Sequence, residues 1–163
     1  MPGRPLLAKV LTVSDGVAAG TRDDRSGTAL VERLGAVGFD VVAREVCEDG
    51  VEAVSGALRS LTQEFAGLVV TTGGTGFGPR DCTPEGTLAV IDRSAPGLAE
   101  AMRRASDADD RGFGMLSRGA CGTVGAALVC NLPGSSSGAV ECLDAILPAV
   151  PHALELLSGG RPH

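Results

Sequence analysis

Three aliphatic runs in this chain, 6–13 (LLAKVLTV), 66–72 (AGLVVTT) and 126–131, each lead directly into a polar or glycine-rich loop that opens a helix. That order constrains the fold more than any other feature. Between the first two runs, TALVERLGAV at 28–37 has amphipathic helical spacing and is closed by Gly38, FDVVAREV at 39–46 reads as a second strand, and a further helix covers about 51–65. Strands alternating with helices over short connections predict βαβ units, hence a mostly parallel sheet covered on both faces. The apolar content is 44%, with four Phe and no Trp or Tyr, so the core must be packed from aliphatic side chains. Parallel strands under helices suit such a core. The expected fold is α/β, three-layer α/β/α, in a single domain over 1–163, a length able to bury about 70% of its unfolded surface.

Beyond the second glycine-rich loop, Thr83 reads as an N-cap, with Pro84 at the first helical position, Glu85 in the first turn and the helix ending near Ile91. A helix over 96–106 follows, then DADDRGFGM, a polar run read as a solvated loop. A weak strand precedes the strong one at 126–131, and a glycine-serine loop opens the next helix, which Pro148 interrupts. VPHALELL resumes the helix before a tail, 158–163, expected to fray.

Composition removes several function classes. No apolar run is long enough to span a membrane and the N-terminus lacks the apolar stretch of a signal peptide, so a cytoplasmic protein without a membrane partner is expected. Five cysteines without a CxxC pair argue against a disulfide framework or zinc knuckle. Four read as small buried hydrophobes, and Cys82 differs by lying in the glycine loop. A net charge of −6 disfavours nucleic acid as a partner. Lys9 is the only lysine, so phosphate chemistry here must use arginines, backbone amides and metal.

The three loops follow strands directly and should therefore gather at one end of the sheet, where α/β folds bind ligands. In TTGGTGFGPRDCTPEGT, 71–87, glycines preceding a helix N-terminus can form an anion site, though a structural tight turn fits the spacing too. The run lacks the Gly-Lys-Ser/Thr of a P-loop, and Pro79 stands where a dinucleotide fingerprint needs its third glycine. Arg80 and Asp81 are either a local ion pair or the phosphate donor and metal ligand that a magnesium-bound nucleotide requires. Asp81 is the leading metal-ligand candidate.

The first loop offers Ser14 and Asp15 at a strand end, Asp15 facing the site or capping its own turn, while Asp24 and Ser26 read as helix caps. Glu48 and Asp49 end the second strand, where acidic residues usually form a solvated helix start. Asn131, Gly134 and three serines make the third loop a source of neutral donors for an anion. A serine nucleophile would lack its base, since His152 lies in a late helix and His163 ends the chain.

LTVSDGVAAGTRDDRSG, TTGGTGFGPRDCTPEGT and NLPGSSSGAVECLDAILPAVPHALELL together resemble, in order and spacing, the MogA/MoaB family of molybdenum cofactor biosynthesis proteins, whose domain also forms the G domain of gephyrin. The resemblance implies a molybdopterin-binding α/β domain and, in active members, Mg²⁺- and ATP-dependent adenylylation of molybdopterin with release of pyrophosphate. Other members bind the pterin without this chemistry. It places the family's two important aspartates on Asp81 and Asp49, with Glu48 standing where a proline is usual, so that either acidic residue fills the second role. Asp81 and Asp49 are then the expected catalytic residues and metal ligands. Gly73, Gly74, Thr75, Gly76, Arg80, Ser14 and Asp15 are expected at the nucleotide's phosphates, Asn131, Gly134 and Ser135 at the pterin, and Phe77 as its only phenyl stacking partner within a motif loop. A homotrimer or hexamer, and a downstream MoeA-type metal-insertion partner, are implied on the same ground.

Overall fold

The computed structural model describes residues 3–107 and 112–161. Residues 108–111 of the expected solvated loop and 162–163 of the expected frayed tail lie outside the described residues. Six strands form one sheet in the order β2-β1-β3-β6-β5-β4. They are β1 (Leu6–Val13), β2 (Phe39–Cys47), β3 (Leu68–Thr72), β4 (Arg93–Ser94), β5 (Cys121–Val124) and β6 (Ala127–Leu132). β2, β1, β3 and β6 are parallel, while β5 and β4 are added antiparallel.

The helices are α1 (Asp15–Ala18), α2 (Arg25–Ala36), α3 (Val51–Thr62), α4 (Thr83–Leu88), α5 (Pro96–Ser106), α6 (Ser136–Ile146) and α7 (Val150–Leu157). Strand alternation divides the core into two layers. Ala8, Val10, Leu68, Val70, Leu128 and Cys130 face one layer with Leu30 and Leu34 of α2, Met102 of α5 and Leu143 and Ile146 of α6. Leu11, Val13, Val69 and Val129 face the other, against Val54, Leu58 and Leu61 of α3. Each fully buried leucine contributes about 2 kcal/mol by area. Lys9, on the α3 face, donates to Leu61 O at 2.9 Å and lies 4.1 Å over the Phe65 ring, so the single lysine is part of the framework. Cys121, Cys130 and Cys142 are buried thiols, while Cys47 and Cys82 are half-buried.

Several boundaries differ from expectation for identifiable reasons. α2 starts at Arg25 because Asp24 caps it, its carboxylate accepting from Gly27 N at 3.0 Å. α3 stops at Thr62 rather than near 65. α4 has Cys82, not Thr83, at its N-cap, because the Thr83 hydroxyl donates instead to Gly73 O at 2.8 Å. It ends at Leu88, after which the amides of Val90 and Ile91 both donate to Thr87 O. Phe113–Leu116, expected in a loop, forms a 3-10 turn. The amides of Ser158, Gly159 and Gly160 donate back to Leu154 O, Leu156 O and Glu155 O, so this part of the tail is tied to α7.

Candidate functional site

β1 hands the chain left to β2, whereas β3 and the strands after it lie to the right, so the strand order reverses between β1 and β3. A cavity of about 870 Å³ opens there, beyond the carboxyl ends of β1, β3 and β6. Its walls come from all three loops: Ser14 and Arg22 to Ser26 from the first, Gly73, Gly74 and Asp81 from the second, and Gly134 to Ser136 from the third, with Asp49 beyond β2.

Gly73 and Gly74 take φ of +98° and +69°, the left-handed backbone that side chains rarely adopt. A methyl on Gly73 would run into the Val13 carbonyl and one on Gly74 into the Thr83 hydroxyl. These two glycines bring the backbone of β3 against β1 and α4. The loop amides do not all aim at the cavity, as a simple anion nest would require. Gly73 N donates to Leu132 O at 3.2 Å and Gly78 N to Asp81 Oδ2 at 2.9 Å.

The acidic residues are distributed unequally. Asp24 is already neutralised, accepting from Thr12 Oγ1 at 2.8 Å and from Arg44 Nη2 at 2.9 Å, besides its capping bond. Asp49 and Asp81 each commit one carboxylate oxygen, Oδ2, to a backbone amide, of Asp15 and Gly78 respectively. Among the described residues, neither Oδ1 accepts a hydrogen bond. Asp49 Oδ1 lies 3.2 Å from where a Cβ on Gly74 would stand. Glu48 is exposed and absent from the cavity wall.

Arg80 and Asp15 do not serve the cavity directly. Arg80 donates from Nε and Nη2 to both oxygens of Asp15, at 2.9 and 3.0 Å, and from Nη2 to Asp49 O at 3.1 Å. The guanidinium holds the Asp15 carboxyl below its usual range. A carboxylate so engaged would also repel phosphate, which leaves Arg22 and Arg25 as the guanidiniums on the wall.

Ser14 and Ser135 line the cavity while their hydroxyl oxygens cap α1 and α6, accepting from Val17 N and Gly138 N at 3.2 Å each. Capping uses an oxygen lone pair and leaves the hydroxyl proton available to an anion. Gly134 also lies on the wall, but Thr75 and Gly76 do not. Asn131, expected at the pterin, is 1% exposed. Its Oδ1 accepts from Ala120 N at 3.0 Å and its Nδ2 donates to Thr71 and Thr87 hydroxyls at 3.0 and 2.9 Å, so the amide serves as framework beneath the loops. Phe77 is 71% exposed and outside the cavity, with the Arg118 guanidinium 5.9 Å from its ring centre. Cys47 is unreactive by environment, as burial and then the charges of Asp49, Glu45 and Glu48 push its thiol up to about 11.

Two further groups escaped sequence reasoning. Arg22 lies across Gly16 on the cavity wall, and its only sequence signal was a basic residue in a loop already singled out. Arg118 grips the glycine loop from the far side, through contacts that no local spacing announces.

The family model described as "Probable molybdopterin binding domain" matches residues 9–152. Over 153 residues the chain is 36% identical to a molybdopterin adenylyltransferase of Helicobacter pylori strain J99, covering 92% of this chain and 86% of that protein. It is 36% identical over 150 residues to a molybdenum cofactor biosynthesis bifunctional protein of Chlorobaculum tepidum, covering 92% of this chain and 48% of the relative, so it spans about half of that protein's length. The crystal structure of the molybdopterin biosynthesis enzyme MoaB from Thermus thermophilus superposes with a TM-score of 0.86 at 42% identity, covering 94% of this chain and 97% of that one. The chain belongs to the molybdopterin-binding MogA/MoaB family of molybdenum cofactor biosynthesis proteins.

Proposed function

We propose that this protein adenylylates molybdopterin, joining its terminal phosphate to the α-phosphate of ATP and releasing pyrophosphate. The observation that carries the reading is the pair Asp49 and Asp81, two carboxylates with uncommitted oxygens on the wall of one cavity, beside the Gly73-Gly74 backbone.

A phosphate monoester is mostly dianionic at neutral pH, its second pKa being about 6, so its oxygen attacks the α-phosphorus without a general base. The α-phosphorus to bridging-oxygen bond breaks and pyrophosphate leaves with the electron pair. Positioning and charge neutralisation are what the protein must supply. Ser14, Ser135 and the Gly134 segment offer donors to the phosphates, and Arg22 and Arg25 offer positive charge.

Magnesium fits the carboxylates that remain. Mg²⁺ is typically held by one or two carboxylates with substrate phosphates and water completing its shell. Asp49 Oδ1 and Asp81 Oδ1 would hold it, and its charge would offset the repulsion between the two anionic substrates. Among the described residues, no three acidic, histidine or cysteine side chains form a preassembled metal cluster. A site completed by substrate phosphates needs no such cluster; the second reading is a chain that binds molybdopterin without transferring adenylate.

The test is to incubate the protein with molybdopterin, ATP and Mg²⁺ and analyse the product by mass spectrometry. Adenylyl-molybdopterin that disappears when magnesium is chelated supports the transferase. Retained pterin without product supports binding alone.

A further inference from the structure

The loop carrying Asp81 is gripped by a residue that the reaction does not itself require. Arg118 stands between the 3-10 turn Phe113–Leu116 and β5, and its main-chain amide donates to Thr75 O at 2.9 Å. Its Nε donates to Gly76 O at 2.9 Å and its Nη2 to Asp81 O at 2.7 Å. Nη1 meets the Glu85 carboxylate in the first turn of α4. One side chain therefore ties both ends of the 76–81 segment to each other and to the helix that follows.

We propose that Arg118 is a positioning residue for Asp81, fixing where its carboxylate stands over the cavity without touching substrate. The inference rests on the adenylyltransferase reading and adds to it the group that sets the geometry of a metal ligand. Within the segment the glycines supply no side chains and Phe77 is largely exposed, while Arg80 reaches out to Asp15 and Asp49 O. On the cavity side, Asp81 Oδ2 is held by Gly78 N, an amide of the same loop. The Arg80 pair that also ties the loop is exposed, so without Arg118 the carboxylate and the amide holding it would be free to move together.

A guanidinium is suited to this task. Its five donors lie in a fixed plane, so it can satisfy two carbonyls and a carboxylate at once and impose a relative geometry on all three. Lysine keeps the charge but not the fork, and methionine keeps neither. An ordinary exposed ion pair between Arg118 and Glu85 would stabilise little. The carbonyl contacts are what distinguish a clamp from a surface pair.

The experiment compares wild type, Arg118→Lys and Arg118→Met for thermal midpoint, molybdopterin binding, pyrophosphate release against magnesium concentration, and amide hydrogen exchange over 76–81. In Arg118→Met the expected results are retained pterin binding, kcat lower by on the order of a hundredfold, a higher magnesium concentration at half-maximal rate and faster exchange confined to the loop. Arg118→Lys should recover part of kcat but not the magnesium dependence. Unchanged kcat and magnesium dependence would overturn the proposal, as would pterin binding, thermal midpoint and kcat falling together. If wild type releases no pyrophosphate, the functional reading has failed separately. Loop exchange then decides the clamp by itself, and equal rates in wild type and Arg118→Met would refute it.

Discussion

Asp15 and Asp49 each accept the other's backbone amide: Asp15 N donates to Asp49 Oδ2 at 2.9 Å, and Asp49 N to Asp15 Oδ1 at 3.1 Å. Two residues from the ends of neighbouring strands are thereby locked in register, and Arg80, the residue preceding Asp81, fastens the pair to the glycine loop. The position of the Asp49 carboxylate depends on Asp15. Replacing Asp15 with Ala removes one amide acceptor and both oxygens that hold Arg80. The thermal midpoint should change little, since the ion pair is exposed. Pyrophosphate release should fall by between about tenfold and a hundredfold. Steady-state kinetics beside thermal melts check this, and an unchanged kcat would show that Asp49 needs no such support.

Gly73→Ala should damage both stability and site. The left-handed dihedral alone costs about 1–3 kcal/mol for a residue with a Cβ, and the added methyl meets the Val13 carbonyl. Urea unfolding gives the stability change, and molybdopterin titration should show weaker binding in the folded fraction. Gly35→Ala, in open space within α2, is the control and should not destabilise.

Asn131 offers a contrast between framework and ligand contact. Asn131→Ala leaves Ala120 N and the hydroxyls of Thr71 and Thr87 without their partner, at a cost of about 2–4 kcal/mol. Chemical denaturation should show that loss while the folded variant binds pterin with wild-type affinity. A large loss of affinity at unchanged stability would return Asn131 to the binding surface.

Acid sensitivity follows from two ion pairs. Hydrogen bonding from Arg80 lowers the Asp15 pKa, and hydrogen bonding from Arg118 lowers that of Glu85. A carboxyl whose folded pKa is depressed stabilises the fold fully above its unfolded value, near 4, and loses that contribution as pH falls through the folded value. The double variant Arg80→Gln, Arg118→Gln should therefore lose less stability than wild type on acidification from about pH 5 to pH 3. Thermal melts across that range would contradict the account if both proteins lost stability in parallel.

The layered α/β architecture and the meeting of three loops were legible because aliphatic runs of strand length stand directly before them, and a parallel sheet puts all such loops at one end. Asp81, Gly73, Gly74, Gly134 and Ser135 reached the cavity wall as their loops implied. Asp49 stands on that wall while Glu48 is exposed, a choice that strand direction leaves open until the register of β2 on β1 is fixed. Arg80 was read as a phosphate donor because residue type identifies a charge and not its direction; in the fold it turns to Asp15, 65 residues away in sequence. Asn131 was misplaced for a related reason. It belongs to β6, so its side chain enters the sheet's packing and not the loop that follows. Two-residue β4 carries no periodicity at all, and Arg118 depends on a contact spanning 37 residues to Asp81.

The central claim is that Asp81 acts in adenylyl transfer and not in pterin capture. Its most direct test is pyrophosphate release from Mg²⁺-ATP with freshly prepared molybdopterin, comparing wild type with Asp81→Ala, alongside pterin binding for both. Pterin-dependent release in wild type, abolished in the variant while binding is retained, is the predicted result. Pterin binding by wild type without release, or release undiminished in Asp81→Ala, would contradict it.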